Sequence, residues 1–166
     1  MTIDKAYVQA AFTQQYAYLN SGNAEKEGSR AICAGRAAGL ACDAGKENLA
    51  KAIWAKEIPA VAGMPNFADF RKGYLAHRNA FGEFETGEGK AFTAVGTPFS
   101  NAAGSYAFAL DNVIRGRAAG GDPHWVAHWG AKALEVAGFK EQAVQLSQAV
   151  TGVTSLGTVL VHKIDR

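Results

Sequence analysis

Arg30-Ala31-Ile32-Cys33-Ala34-Gly35-Arg36-Ala37-Ala38-Gly39-Leu40-Ala41-Cys42 is the stretch that decides how this chain folds. Together with Gly28, the small residues Ala31, Gly35, Ala38 or Gly39, and Cys42 fall on one face of a predicted helix over about 24–42. Each interior glycine costs a helix about 1 kcal/mol against alanine, so Gly35-x-x-x-Gly39 needs a compensating contact. The spacing predicts close approach of a neighbouring element, with a large side chain from elsewhere filling the space. Arg30, Arg36 and Asp43 interrupt the segment, which points to packing inside a folded domain and not to helix pairing in a membrane.

The composition agrees with that reading. Of 166 residues, 48% are hydrophobic and 19% charged, the latter below the average of roughly 25% for globular proteins, so burial is favoured over disorder. A chain of this length fits one helical domain over 1–166 and buries roughly 70% of its unfolded surface, without help from a disulfide or a metal. Alanine and 19 glycines supply much of the small-residue content, leaving bulk to scattered aromatics.

Working outward, Asp4 can cap a helix over about 4–19, with Tyr7, Ala11, Phe12, Tyr16 and Leu19 as its apolar stripe. A helix over about 46–58 buries Leu49, Ile53 and Trp54 and stops at Pro59. Another, from about 65 to 81, carries Phe67, Phe70, Tyr74, Leu75 and His77. The helical rhythm fails over 82–100, where Glu83-Phe84-Glu85-Thr86 and Lys90-Ala91-Phe92-Thr93-Ala94-Val95 flank a glycine-containing turn and read as a hairpin. A long helix over about 100–117 turns Tyr106, Ala109, Leu110, Val113 and Ile114 inward.

Asp122 and Pro123 then specify a helix start, Gly138 its stop, and a further helix covers about 139–150. The β-branched tail over 156–164 reads as a strand that can pair with the hairpin. The predicted fold is therefore mainly α: a compact bundle of about six or seven helices, with a small β-hairpin or sheet from about 83–95 and 156–164.

Three patterns bear on function. His124 and His128 stand four apart, a spacing at which two imidazoles on one helix can share a metal ion. A metal-dependent or acid-base enzyme would centre on this pair, although Trp125 occupies the place of the glutamate in the zinc motif His-Glu-x-x-His. Trp125 and Trp129 fall on a different face, with Ala133 and Val136, as the anchor to the core. In the preceding loop Arg115 and Arg117 could hold a carboxylate or phosphate, but no phosphate-loop pattern is present and Asp122 sits where an anion would bind.

The third pattern is Phe70-Arg71-Lys72-Gly73-Tyr74-Leu75-Ala76-His77-Arg78, in which Arg71, Lys72, Tyr74 and Arg78 make a nucleic-acid-binding module the second alternative. An amphipathic helix with its aromatics inward explains the same residues. Charge is evenly spread, with 10 basic against 8 acidic residues up to Glu83 and 7 against 7 afterwards, so no basic footprint favours nucleic acid.

Cys33 and Cys42, nine residues apart, would lie about 13.5 Å from each other on one helix and read as free thiols. No Gly-x-Ser-x-Gly elbow occurs, neither cysteine has a histidine nearby in sequence, and no cofactor is expected. The first residues are polar where a secretion signal has an apolar core, and no apolar run reaches the roughly 18–20 residues of a membrane span. A cytoplasmic protein without membrane contact is expected. The favoured reading is a non-enzymatic binding or assembly protein, acting through a protein partner or self-association, with His124, Trp125, His128, Trp129, Arg115, Arg117, Arg71, Lys72, Tyr74 and Arg78 as candidate binding residues.

Overall fold

A computed structural model describes residues 5–26, 30–78, 96–114 and 123–151, without the side chains of 25, 26, 123–127 and 151. The described residues form eight helical segments and no strand: α1 (Lys5–Asn20), a single turn α2 (Asn23–Lys26), α3 (Arg30–Asp43), α4 (Glu47–Glu57), α5 (Phe67–His77), α6 (Pro98–Ile114), α7 (Pro123–Val136) and α8 (Lys140–Thr151). The helical bundle predicted above is thus present. Its proposed β-hairpin and sheet, over 83–95 and 156–164, lie outside the described residues, as do Gly28 and the caps Asp4 and Asp122.

The largest interface joins α3 to α6. A Cβ on Gly35 would lie 2.6 Å from the Ala103 carbonyl oxygen and 2.8 Å from Gly104 Cα, and one on Gly39 would lie 2.6 Å from Ser100 Cα. The glycines therefore meet a second row of small residues, Ser100, Ala103, Gly104 and Ala107, so that backbone packs on backbone. The expected large side chain is not what fills this face. Two small-residue rows bring the helices closer than any bulky side chain would allow, and dispersion between the two backbones offsets the glycine cost.

Around this pair, α1 and α4 lie on α3, whereas α7 and α8 lie on α6, and α5 reaches from α4 to α7. Consequently α6 is buried almost all round: every residue from Phe99 to Leu110 is inside, well beyond the single face expected from the sequence. Its polar members turn back on their own helix, Ser105 Oγ donating to the Asn101 carbonyl at 3.0 Å and Asn112 Nδ2 to that of Phe108 at 2.8 Å.

The large side chains gather in one cluster instead of scattering. Tyr106 of α6 stacks on Phe70 (4.8 Å between ring centroids) and Trp54 (6.0 Å), Trp54 on Phe67 (5.1 Å), and Tyr74 tilts against Phe99 (4.9 Å). Tyr106 is fully buried, and its hydroxyl donates to the Pro65 carbonyl at 2.6 Å, which satisfies its buried polar atom. Burial pushes its phenol well above the ordinary range. Small residues bring α3 and α6 together, and rings fill the wider space between α4, α5 and α6.

The element ends follow local rules. α3 and α7 both finish in Schellman turns, with Lys46 N–H donating to the Ala41 carbonyl and Phe139 N–H to that of Leu134, each at 2.8 Å. The residues in the left-handed conformation are Gly45 (φ 83°) and Gly138 (φ 86°). At the outer edge Arg30 grips both Glu57 carboxylate oxygens at 2.8 Å and donates to the Leu19 carbonyl at 3.2 Å, tying α1, α3 and α4 together.

Gly39→Ala tests the central contact, because propensity and packing predict opposite signs. Alanine favours an isolated helix by about 1 kcal/mol, but at this position it should lower folding stability by about 1–3 kcal/mol through overpacking. Urea unfolding followed by far-ultraviolet circular dichroism measures the difference, and a variant as stable as the parent would show that α3 and α6 are not in backbone contact.

Candidate functional site

The described residues form a groove where α5 meets the turn between α7 and α8. It forms because Gly73 lets the middle of α5 touch that turn: a Cβ there would overlap the Ala137 carbonyl oxygen and lie 2.7 Å from Phe139 Cε2. Asn66 sets the start of α5, its side-chain oxygen accepting from Asp69 N–H at 2.8 Å, which fixes Asp69 on the first turn. Beside this contact lies a space of about 440 Å³, a size typical of ligand pockets, which run to roughly 300–1,000 Å³.

Met64, Pro65 and Phe139 supply its apolar surface, and Asp69, Lys72, His77 and Gln142 its polar groups. His77 Nδ1 lies 3.0 Å from the Gly73 carbonyl oxygen. That oxygen can only accept, so Nδ1 carries the proton, and in the neutral ring Nε2 is left as an acceptor. The imidazole covers Gly138, where a Cβ would lie 2.5 Å from His77 Cε1 and 2.9 Å from Nε2. Asp69 and Lys72, three residues apart on α5, form no ion pair with each other or with another described residue.

A second polar constellation holds the same helix from its other side. Asp43, at the end of α3, has a side chain only 1% exposed; it accepts from Thr97 Oγ1 at 2.5 Å and pairs with Arg71 Nη2 at 3.1 Å. Thr97 and Ser100 cap α6 reciprocally, Ser100 N–H donating to Thr97 Oγ1 at 3.1 Å and Thr97 N–H to Ser100 Oγ at 2.8 Å. The Arg71 guanidinium also lies over the Phe99 ring, 4.2 Å from its centroid. Burial pushes the Asp43 carboxyl above its ordinary range, opposed by the Thr97 hydroxyl and by Arg71. Burial likewise raises the adjacent half-buried Cys42 thiol, and Cys33, on the same helix, is buried and in no disulfide.

The candidate residues named from the sequence separate accordingly. In the basic-aromatic stretch, Tyr74 is 7% exposed and packed on Phe99, so its ring is not offered to a nucleic-acid base. Arg71 is held by Asp43, and only Lys72 and Arg78 stand exposed. The amphipathic explanation of this helix fits, because packing of α5 on α6 claims the aromatic face. Trp129 is buried in the core, whereas His128 is exposed with its ring set edge-on against Trp129 at 4.9 Å. The side chains of His124 and Trp125, and all of Arg115 and Arg117, lie outside the described residues. Among the described residues no group of three or more His, Cys, Asp or Glu side chains is placed to hold a metal ion.

Asp43, Asp69, Thr97 and Gln142 were not singled out in the sequence. The Thr97-x-x-Ser100 spacing ahead of an apolar run was a legible cap signal; the partnership with Asp43, 54 residues away, was not. Comparison of the chain with protein families, with curated proteins and with solved structures finds no match.

Two measurements check this geometry. Gly138→Ala forces a side chain into the left-handed region and against His77, so it should cost about 1–2 kcal/mol and displace the imidazole; denaturant unfolding and the His77 ring resonances would register both. Asp43 predicts a pH effect whose sign follows from its raised proton affinity. Above about pH 4 the folded state holds this proton more tightly than the unfolded chain, so the contribution is present at lower pH and lost as pH rises through the raised value. Asp43→Asn should remove that part of the stability-against-pH curve, and identical pH slopes for parent and variant would contradict the assignment.

Proposed function

We propose that the protein is a non-enzymatic binding protein that engages a partner polypeptide, seating an anchoring segment of that partner in the groove between α5 and the α7–α8 turn. The observation that carries this reading is the lining of the groove: Met64, Pro65 and Phe139 supply apolar surface, and Asp69, Lys72, His77 and Gln142 supply polar groups. Apolar surface combined with polar groups is common to protein recognition surfaces. Its walls are shaped by backbone contact at Gly73 and by the Gly138 turn, so little ordering entropy would be lost on binding. Met64 adds an adaptable apolar contact.

Among the described residues, the other exposed large apolar side chains support no such surface. Tyr7, Leu75 and Val144 stand on α1, α5 and α8, each on a different helix, and singly exposed apolar residues are ordinary. The buried ionic groups have structural uses, since Asp43 and Arg71 tie α3 to α5 and Arg30 and Glu57 tie α3 to α4.

Selection of a displayed random-peptide library on the purified protein tests the reading. Selected peptides should shift the amide resonances of Gly73 and Gly138 and should lose affinity for Gln142→Trp, which fills the groove from a partly exposed position, with no change in thermal midpoint. Peptides that bind parent and variant equally, or a selection that yields none, would sink the proposal. A dimer seen by light scattering and dissolved by Gln142→Trp would identify the partner as a second copy of the chain.

A further inference from the structure

We infer that the segment held in the groove is an extended stretch of three or four residues, with a basic side chain opposite Asp69 and an acidic one opposite Lys72, separated by an apolar residue. This rests on the reading of the groove as a polypeptide seat and adds the chemistry of its occupant. The polar residues of α5 that line the groove run from Asp69 to His77, eight positions or about 12 Å along the helix axis. An extended chain advances about 3.3 Å per residue, so three or four residues span that length.

Charge sets the pattern. Asp69 and Lys72 occupy the same groove without pairing to each other, although residues three apart on a helix are neighbours, with Cβ atoms about 5–6 Å apart. In an extended segment, alternate side chains share a face and are separated by about 6.6 Å, comparable to that Cβ spacing. A segment with one basic and one acidic side chain two positions apart therefore meets carboxylate with cation and ammonium with anion, whichever way the chain runs; two side chains of like charge at these positions leave one of them repelled.

The intervening side chain points to the other wall, where Phe139 offers apolar contact. Beyond Lys72 the segment reaches His77, whose Nδ1 is committed to the Gly73 carbonyl, leaving Nε2 to meet a polar group of the segment. Gln142, carrying both donor and acceptor, faces the segment from α8 and suits its peptide groups.

The test uses end-blocked peptides Lys-Leu-Glu-Ser and Lys-Leu-Lys-Ser, titrated against the full chain with affinity read from amide chemical shifts. The first should bind more tightly by about two- to fivefold, the range of a solvent-accessible ion pair, and the preference should shrink as salt rises. Lys72→Glu, an exposed position that needs no repacking, should weaken Lys-Leu-Glu-Ser and strengthen Lys-Leu-Lys-Ser. Equal affinity for both peptides, or a preference unchanged by Lys72→Glu, would overturn the inference. If Gln142→Trp abolishes binding but charge reversal has no effect, the groove is a peptide seat and this charge pattern is wrong. If no peptide shows binding that depends on the groove, both proposals fall.

Discussion

Backbone contact between α3 and α6 is the constraint from which the rest of the structure follows. With Gly35 and Gly39 against Ser100, Ala103 and Gly104, neither helix can gain a methyl group at the crossing without displacing main chain. Backbone at a helix crossing cannot rotate away as a side chain can, so the approach fixes both distance and register. Once α6 is held this way, the remaining helices have only its other faces to cover, and their packing leaves it buried almost all round.

A close crossing of small residues buries little volume, and the complementary device is the aromatic cluster. Trp54, Phe67, Phe70, Tyr74, Phe99 and Tyr106 come from α4, α5 and α6 and fill the volume to one side of the crossing. Fully burying a large apolar side chain contributes about 1.5–3 kcal/mol, so this cluster is a main stabilising unit, held in register by the bond from Tyr106 to the Pro65 carbonyl. The ionic junction of Asp43, Arg71 and Thr97 sits at its edge. Desolvation opposes a buried carboxylate, and the bonds to Thr97 and Arg71 offset that cost while specifying where α5 must lie relative to the start of α6.

The position of α5 in turn creates the groove. One face of this helix enters the aromatic cluster, Arg71 turns back to Asp43, and Gly73 meets the α7–α8 turn, leaving Asp69, Lys72 and His77 along the remaining side. The proposed recognition surface and the stabilising contacts thus use different residues of one helix. A groove built this way is rigid where it is lined by backbone and adaptable where Met64, Lys72 and Gln142 border it, a combination suited to holding an extended segment.

The sequence by itself determined the helices and their punctuation: Pro59 after α4, Pro123 opening α7, Gly138 closing it, and the small-residue face of α3. These are legible because propensity, capping and periodicity are local, acting over one or two turns. It also marked the inward aromatics of α5 and the outward His128 beside the buried Trp129. Only the tertiary structure decided what the glycine face meets, that α6 is buried on all sides, and that Asp43 captures Arg71, a residue that looked solvated in sequence. The same holds for the groove, whose lining comes from positions 63–77 and 137–142 and has no continuous sequence signature. The physical reason is one of range. A helix is specified by neighbours in the chain, whereas the partner of a face and the shape of a groove depend on which distant helices can approach most closely, and small side chains permit that approach without naming the partner.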